Sequence, residues 1–214
     1  MSRILSVNVD VPDSAIVREA SEILREGGLV VYPTETLYGI GARADSSDAL
    51  SRIAAVKRRS DTKPILVIVD DSDAITPLVR EITDDARLLM ETFWPGPLTL
   101  VFPAAAGTLE PLTRGTGTIG IRVPASRFCR DLVAGTGVPV TSTSANRTGE
   151  AVAGTAGEIQ SVFGDEIDLY IDGGLLADRQ PSTVVDVSRG TPVVLREGAI
   201  SRGTLSTIIS TMTS

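Results

Sequence analysis

From Leu29 to Gly41 the chain reads LVVYPTETLYGIG, an apolar run that breaks off at a proline into threonines, a glutamate and a tyrosine. Residues 29–32 are β-branched or bulky and apolar throughout, as a strand covered on both faces must be. Pro33 is expected to stop ladder pairing, and the glycines at 39 and 41 to permit unusual backbone angles. Just upstream, residues 13–26 set Ile16, Val17, Ala20, Ile23 and Leu24 on one helical stripe that ends at Gly27-Gly28. A helix feeding a doubly buried strand, with polar groups delivered at the strand's carboxyl end, is an α/β arrangement. In such sheets ligands bind at strand ends.

The same alternation runs outward in both directions. Further strands are expected at 65–69, 98–102, 119–123, 138–141, 168–171, 183–187 and 192–195. Helical patterns fill 47–58, 83–93, 126–134, 155–163 and 201–211, the third and fourth of these opening on hydroxyl caps. The last three strands have no long helix between them, which calls for an antiparallel portion and hence a mixed sheet. No repeat or linker interrupts the pattern. One domain is expected over 1–214, with its core at about 13–203.

Composition narrows the chemistry. Of 214 residues, 42% are hydrophobic and 22% charged, enough for a sizeable core, but aromatics are only 4%, so that core is aliphatic. The net charge of −7 argues against broad electrostatic capture of nucleic acid. There is no histidine, which excludes a Ser-His-Asp triad, a Cys-His pair and histidine metal ligands. Cys129 is alone and reads as a small buried apolar residue in a reducing compartment. With no signal-peptide core and no run long enough to span a bilayer, a cytoplasmic, non-membrane location is expected.

Two loops stand out. Lys57-Arg58-Arg59-Ser60-Asp61-Thr62-Lys63 carries a local charge of +3 inside an acidic chain. Cations at a helix end suit its dipole, but Pro64 and the next strand pin this loop to the sheet, where Lys and Arg can hold phosphate oxygens. Thr141-Ser142-Thr143-Ser144-Ala145-Asn146 puts five hydroxyl or amide side chains in six residues at another strand end, more than a turn needs for its own backbone. Gly115-Thr-Gly-Thr-Ile-Gly120 fits the dinucleotide pattern G-x-G-x-x-G. It precedes a strand instead of following one, so it reads as a loop that delivers Thr118 and Arg122. Asp70-Asp71-Ser-Asp73 lacks the glycine and distal glutamate of a calcium loop and reads as a helix N-terminus. Asp172-Gly-Gly174, Pro181-Ser-Thr183 and Arg196 add polar groups at further strand edges.

GGLVVYPTETLYGIGA, the Lys57-x-Arg59 pair, FWPGPLTLVF, GTIGIRVP, STSAN and DGG…STVVD…VVLREGAI occur together and in order. This set, covering nearly the whole chain, resembles the YrdC/TsaC family of threonylcarbamoyl-AMP synthases in its short, single-domain form. The resemblance implies a twisted mixed sheet with flanking helices and an open, positively lined concave cleft. It implies formation of threonylcarbamoyl-adenylate and pyrophosphate from ATP, L-threonine and bicarbonate. Separate proteins would then transfer the threonylcarbamoyl group to adenosine 37 of tRNAs reading codons that begin with A.

By position, Thr36, Arg122, Ser142 and Ser182 would contact threonine. Lys57, Arg59, Lys63, Thr118, Ser144, Asn146 and Arg196 would surround ATP, with Lys57 and Arg59 stabilising the triphosphate as the catalytic pair. No dedicated metal ligands are evident, so magnesium would arrive on the nucleotide. The sequence departs from many relatives at Ser60, Lys63 and Ile68, where they carry Pro, Asn and His. An RNA-binding module with weak tRNA contact, a paralogue using another substrate and a carbamoyl-transfer enzyme of the hydrogenase-maturation type are the competing readings. The last lacks the acylphosphatase and zinc-finger segments of those proteins.

Overall fold

Side-chain oxygens start most of the helices. Asp13 accepts from the Ala15 amide at the head of α1 (Ser14–Arg25), and Ser46 from Ala49 at α2 (Ser47–Val56). Thr83 accepts from Ala86 at α3 (Asp84–Phe93). A single turn forms α4 (Glu110–Thr113). Ser126 then caps α5 (Arg127–Thr136) and Thr155 caps α6 (Ala156–Phe163), each cap stabilising by about 1 kcal/mol. The last helix is α7 (Arg202–Ser210). The acidic run at 70–73 behaves as expected: Asp71 accepts from the Asp73 amide as a 3₁₀ helix, Asp73–Leu78, begins. The computed structural model describes residues 2–58, 64–176 and 180–210.

Eleven strands are found among the described residues: β1 (Arg3–Ser6), β2 (Val30–Pro33), β3 (Tyr38–Gly41), β4 (Val67–Ile68), β5 (Leu98–Pro103), β6 (Thr118–Arg122), β7 (Val140–Thr141), β8 (Thr143–Ser144), β9 (Leu169–Asp172), β10 (Thr183–Asp186) and β11 (Val193–Arg196). The pairing is mixed, as expected, but it is divided between two sheets, ordered β1-β9-β2-β3-β8 and β11-β10-β5-β6-β4-β7. An isolated bridge, Arg43 to Val140, links them at one point. β7 pairs with β4 in one sheet and β8 with β3 in the other, so the hydroxyl-rich run changes sheets at Ser142.

The five-stranded sheet explains why residues 29–32 are apolar without alternation. Val30 and Tyr32 pack with Leu24, Phe128 and Leu132 of α1 and α5. Leu29 and Val31 pack on the other side with Ile53 of α2 and Ile159 and Phe163 of α6. The six-stranded sheet is different. Leu98, Leu100, Phe102, Ile119, Ile121 and Val185 face a core shared with α3, the 3₁₀ helix and α7. Each such side chain stabilises by roughly 1.5–3 kcal/mol. The alternate positions of β5, β6 and β10 point the other way and line a cleft.

Three expectations change. Residues 38–41 form a strand, not a loop, and Pro33 ends β2 opposite Tyr38 within the ladder. Neither Gly39 nor Gly41 has a positive φ. At 41 glycine is required by space, because a Cβ there would lie 2.6 Å from the Tyr32 ring. The run 65–69 contributes only Val67–Ile68 to the ladders with β6 and β7.

Candidate active site

Period-two alternation in three neighbouring strands builds the floor of a cleft of about 1040 Å³. Thr99 and Val101 come from β5, Thr118, Gly120 and Arg122 from β6, and Val184 and Asp186 from β10. The loop after β2 supplies Thr36, and the sheet-changing run supplies Ser142 and Ser144. Ser182 and Arg196 close the far side. Seven residues singled out in the sequence therefore meet in one cleft: Thr36, Thr118, Arg122, Ser142, Ser144, Ser182 and Arg196. Arg59 and Lys63 lie outside the described residues, as does Ser60. Lys57 and Asn146 are not among the lining residues.

Arg122 is only 3% exposed, and a buried guanidinium must be hydrogen-bonded and paired. Its Nε donates to the Gly96 carbonyl at 3.0 Å and its Nη1 to Thr36 Oγ1 at 2.9 Å. Nη2 lies 2.5 Å from Glu35 Oε1, an ion-pair contact poorly aligned for a hydrogen bond. Glu35 is anchored in turn by the Ala125 amide at 2.7 Å. The loop that presents Thr36 is tied by Thr34, whose hydroxyl accepts from the Thr36 and Leu37 amides and donates to the Leu37 carbonyl. The glutamate of PTET thus has a definite task that its sequence position did not reveal.

On the opposite side Arg196 Nη2 donates to the Ser182 carbonyl at 2.8 Å. Ser182 Oγ and Thr99 Oγ1 are 2.9 Å apart. Burial first, and then the charge of Arg122, lower the proton affinity of Arg196 below that of a free guanidinium. The two arginines thus repel one another inside one cleft, a setting made for anions. Thr99 was not singled out in the sequence, although one hydroxyl in the apolar run LTLVF was a usable clue.

Lys57 is 4% exposed and turns inward. Its ammonium donates to the Ser144 carbonyl at 2.5 Å and the Asn146 carbonyl at 2.9 Å, with Asn146 Oδ1 at 3.5 Å. Thr148 bonds back to the Lys57 carbonyl through both its amide and its hydroxyl. The end of α2 and the 144–148 loop are therefore stapled together. Asn146 Oδ1 also accepts from Ser144 Oγ at 2.6 Å, and its Nδ2 donates to the Glu150 carbonyl. Below the run, the fully buried Tyr32 donates to the Thr141 carbonyl at 2.9 Å, and burial drives its phenol pKa far up. Asp186 is the sole carboxylate among the described lining residues, and no cluster of three potential metal ligands occurs among the described residues. No helix among them is long and apolar enough to cross a membrane.

The family model described as "Sua5_yciO_yrdC: Telomere recombination" matches residues 22–198. A threonylcarbamoyl-AMP synthase of Pyrococcus abyssi is 35% identical over 184 residues, 86% of this chain and 54% of that protein. The chain thus spans about half the length of that relative. A threonylcarbamoyl-AMP synthase of Thiobacillus denitrificans is 37% identical over 171 residues, 78% of this chain and 88% of that protein. The crystal structure of P. abyssi Sua5 complexed with L-threonine superposes with a TM-score of 0.93 at 33% identity, covering 97% of this chain and 61% of that one.

Proposed function

The chain belongs to the Sua5/YciO/YrdC family, and from that premise we propose that it is an L-threonylcarbamoyladenylate synthase, joining L-threonine, bicarbonate and ATP. The observation that carries the proposal is the convergence of Thr36, Arg122, Ser142, Ser182, Thr118, Ser144 and Arg196 on one cleft. The threonine amine forms a bond to the bicarbonate carbon, and water leaves with the amine proton. A carbamate oxygen then bonds to the α-phosphorus of ATP as the bond to pyrophosphate breaks. Such transfer needs positioning and charge stabilisation more than covalent catalysis.

Arg122 offers the threonine carboxylate a buried guanidinium already aligned by Gly96 and Thr36. Ser142, Ser144 and Thr118 offer neutral hydrogen bonds to the reacting groups and the nucleotide. Lys57 acts through the loop that it staples, and Arg59 and Lys63 complete the phosphate-holding set. Asp186 is the lone carboxylate among the described lining residues, too few for a magnesium cage, and the ion would be carried on the triphosphate. The product would pass to separate proteins that acylate tRNA, with at most weak tRNA contact by this acidic chain, in the cytoplasm.

Incubation with all three substrates should release pyrophosphate and yield threonylcarbamoyl-adenylate by mass spectrometry. Release that does not depend on threonine sinks the proposal. Offering other amino acids in the same assay separates a threonine enzyme from a paralogue.

A further inference from the structure

Backbone pairing holds the hydroxyl-rich run only as far as Ala145. The Ser142 amide donates to the Leu66 carbonyl, β8 pairs with β3, and the Ala145 amide donates to the Tyr38 carbonyl. From Asn146 to Thr148 the chain leaves the ladder, and side chains take over. Lys57 and Thr148 tie one side of this segment to the end of α2. Arg147 ties the other side, and it does so from outside the cleft, which it does not line.

The Arg147 side chain is 12% exposed. Its Nη1 donates to the Val56 carbonyl at 2.8 Å, and its Nη2 donates to the Val162 carbonyl at 3.1 Å and to Glu166 Oε1 at 2.6 Å. The guanidinium carbon lies 5.1 Å from the centre of the Phe163 ring, within cation–π range. Val56 is the last residue of α2, and Val162 is the last but one of α6. Carbonyls at a helix C-terminus have no partner within the helix, and each such end carries roughly half an elementary negative charge. Two ends together therefore match one guanidinium, and its planar fork can reach both. Val56 and Phe163 belong to the core that covers one face of the five-stranded sheet. Arg147 thus fastens a loop of the cleft to a packed layer.

We propose that Arg147 is a positioning residue for the nucleotide: by clasping the ends of α2 and α6 it sets Asn146, and through Asn146 the hydroxyl of Ser144, on the ATP side of the cleft. The proposal rests on the synthase reading, in which Ser144 and Asn146 surround ATP. The path is short. Asn146 is the sequence neighbour of Arg147, and its Oδ1 accepts from Ser144 Oγ at 2.6 Å. The threonine side is held by other means: Ser142 by the Leu66 carbonyl, and Arg122 by Gly96 and Thr36. Loss of the clasp should therefore reach the nucleotide and spare the amino acid. A misplacement of about 1 Å can cost around 100-fold. A loop still tied by Lys57 and Thr148 shifts less, so a loss of about tenfold in ATP affinity is expected.

The test compares Arg147→Met, which removes the fork, with Arg147→Lys, which keeps the charge on a single prong and serves alone if the methionine variant does not fold. Arg52→Met is the control, because Arg52 of α2 makes a similar bridge, to the Gly27 carbonyl and the Asp168 carboxylate. Arg147→Met should raise the KM for ATP about tenfold while kcat and the KM for L-threonine stay within about twofold. Calorimetric titration with ATP alone should show the same weakening, and Arg147→Lys should fall between methionine and wild type. Arg52→Met should melt a few degrees lower with the ATP KM of the wild type. An unchanged ATP KM in both Arg147 variants overturns the proposal. An equal rise in the L-threonine KM, or an equal rise in Arg52→Met, also overturns it, because the effect would then be general loosening. If the wild type binds ATP in an Arg147-dependent way but makes no adenylate, the synthase reading fails and the positioning role stands. A wild type that binds no ATP overturns both.

Discussion

Replacing Lys57 by methionine removes its ammonium, and stability and rate read together then tell the loop staple from a role on substrate. Methionine keeps an unbranched stem of similar length and removes the ammonium. Two close charge-assisted bonds are lost, to the carbonyls of Ser144 and Asn146. Each is worth about 1.5–3 kcal/mol when its partner is left stranded. Two effects reduce the total: both loop residues are half-buried, so water reaches them, and the ammonium no longer has to be held out of solvent. A net destabilisation of about 2 kcal/mol remains, or a Tm lower by about 4–8 °C in a domain of this size. The larger effect should be on rate. A shift of about 1 Å in the hydroxyls of Ser142 and Ser144 can cost around 100-fold. Thermal melting and three-substrate pyrophosphate release read the two effects separately. A variant that melts with the wild type and turns over at the wild-type rate refutes the staple. One that melts normally but is inactive shows that Lys57 acts on substrate and not on the loop.

Glu35→Gln removes the one anion paired with the buried Arg122 among the described residues and should cost about 2 kcal/mol, discounted because Glu35 is 23% exposed; an unchanged urea midpoint contradicts the pairing. Gly41→Ala drives a Cβ into the Tyr32 ring and the Val140 side chain. It should destabilise by about 1–3 kcal/mol, whereas alanine at the solvent-facing Gly157 of α6, which meets nothing within 4 Å, should be neutral or better by melting. Burial pushes the Cys129 thiol up to about 12 from 9.0. The folded state therefore holds that proton more tightly than the unfolded one. Its contribution to stability is complete below about pH 9 and is lost as pH rises towards 12. Native protein at pH 8 should resist a thiol reagent that labels one cysteine after unfolding, and rapid native labelling contradicts the buried placement.

Much of the floor was legible because a half-buried strand prints its two faces as alternation. Ile119 and Ile121 against Thr118, Gly120 and Arg122 is such a pattern, and so is Thr99 between Leu98 and Leu100. The helices were legible from their stripes and from the cap residues Ser126 and Thr155. β8 was not, since two residues carry too little propensity to stand out and exist only through a distant pairing partner. Lys57 illustrates a second limit. Its acceptors are backbone carbonyls 87 and 89 residues away, and a carbonyl has no letter in the sequence. Glu35 illustrates a third: the motif displayed it, but only the register of β6 shows which cation it faces.

The change of sheets at Ser142 limits what the cleft can admit. Thr141 is held in one sheet and Thr143 in the other, two Cα steps apart. The sheets therefore cannot part at this end by more than about 7 Å without unzipping a ladder. The run is a gauge as well as a donor of hydroxyls: it fixes the thickness of whatever lies between the sheets. One residue inserted there would change the width of the mouth before it changed any contact.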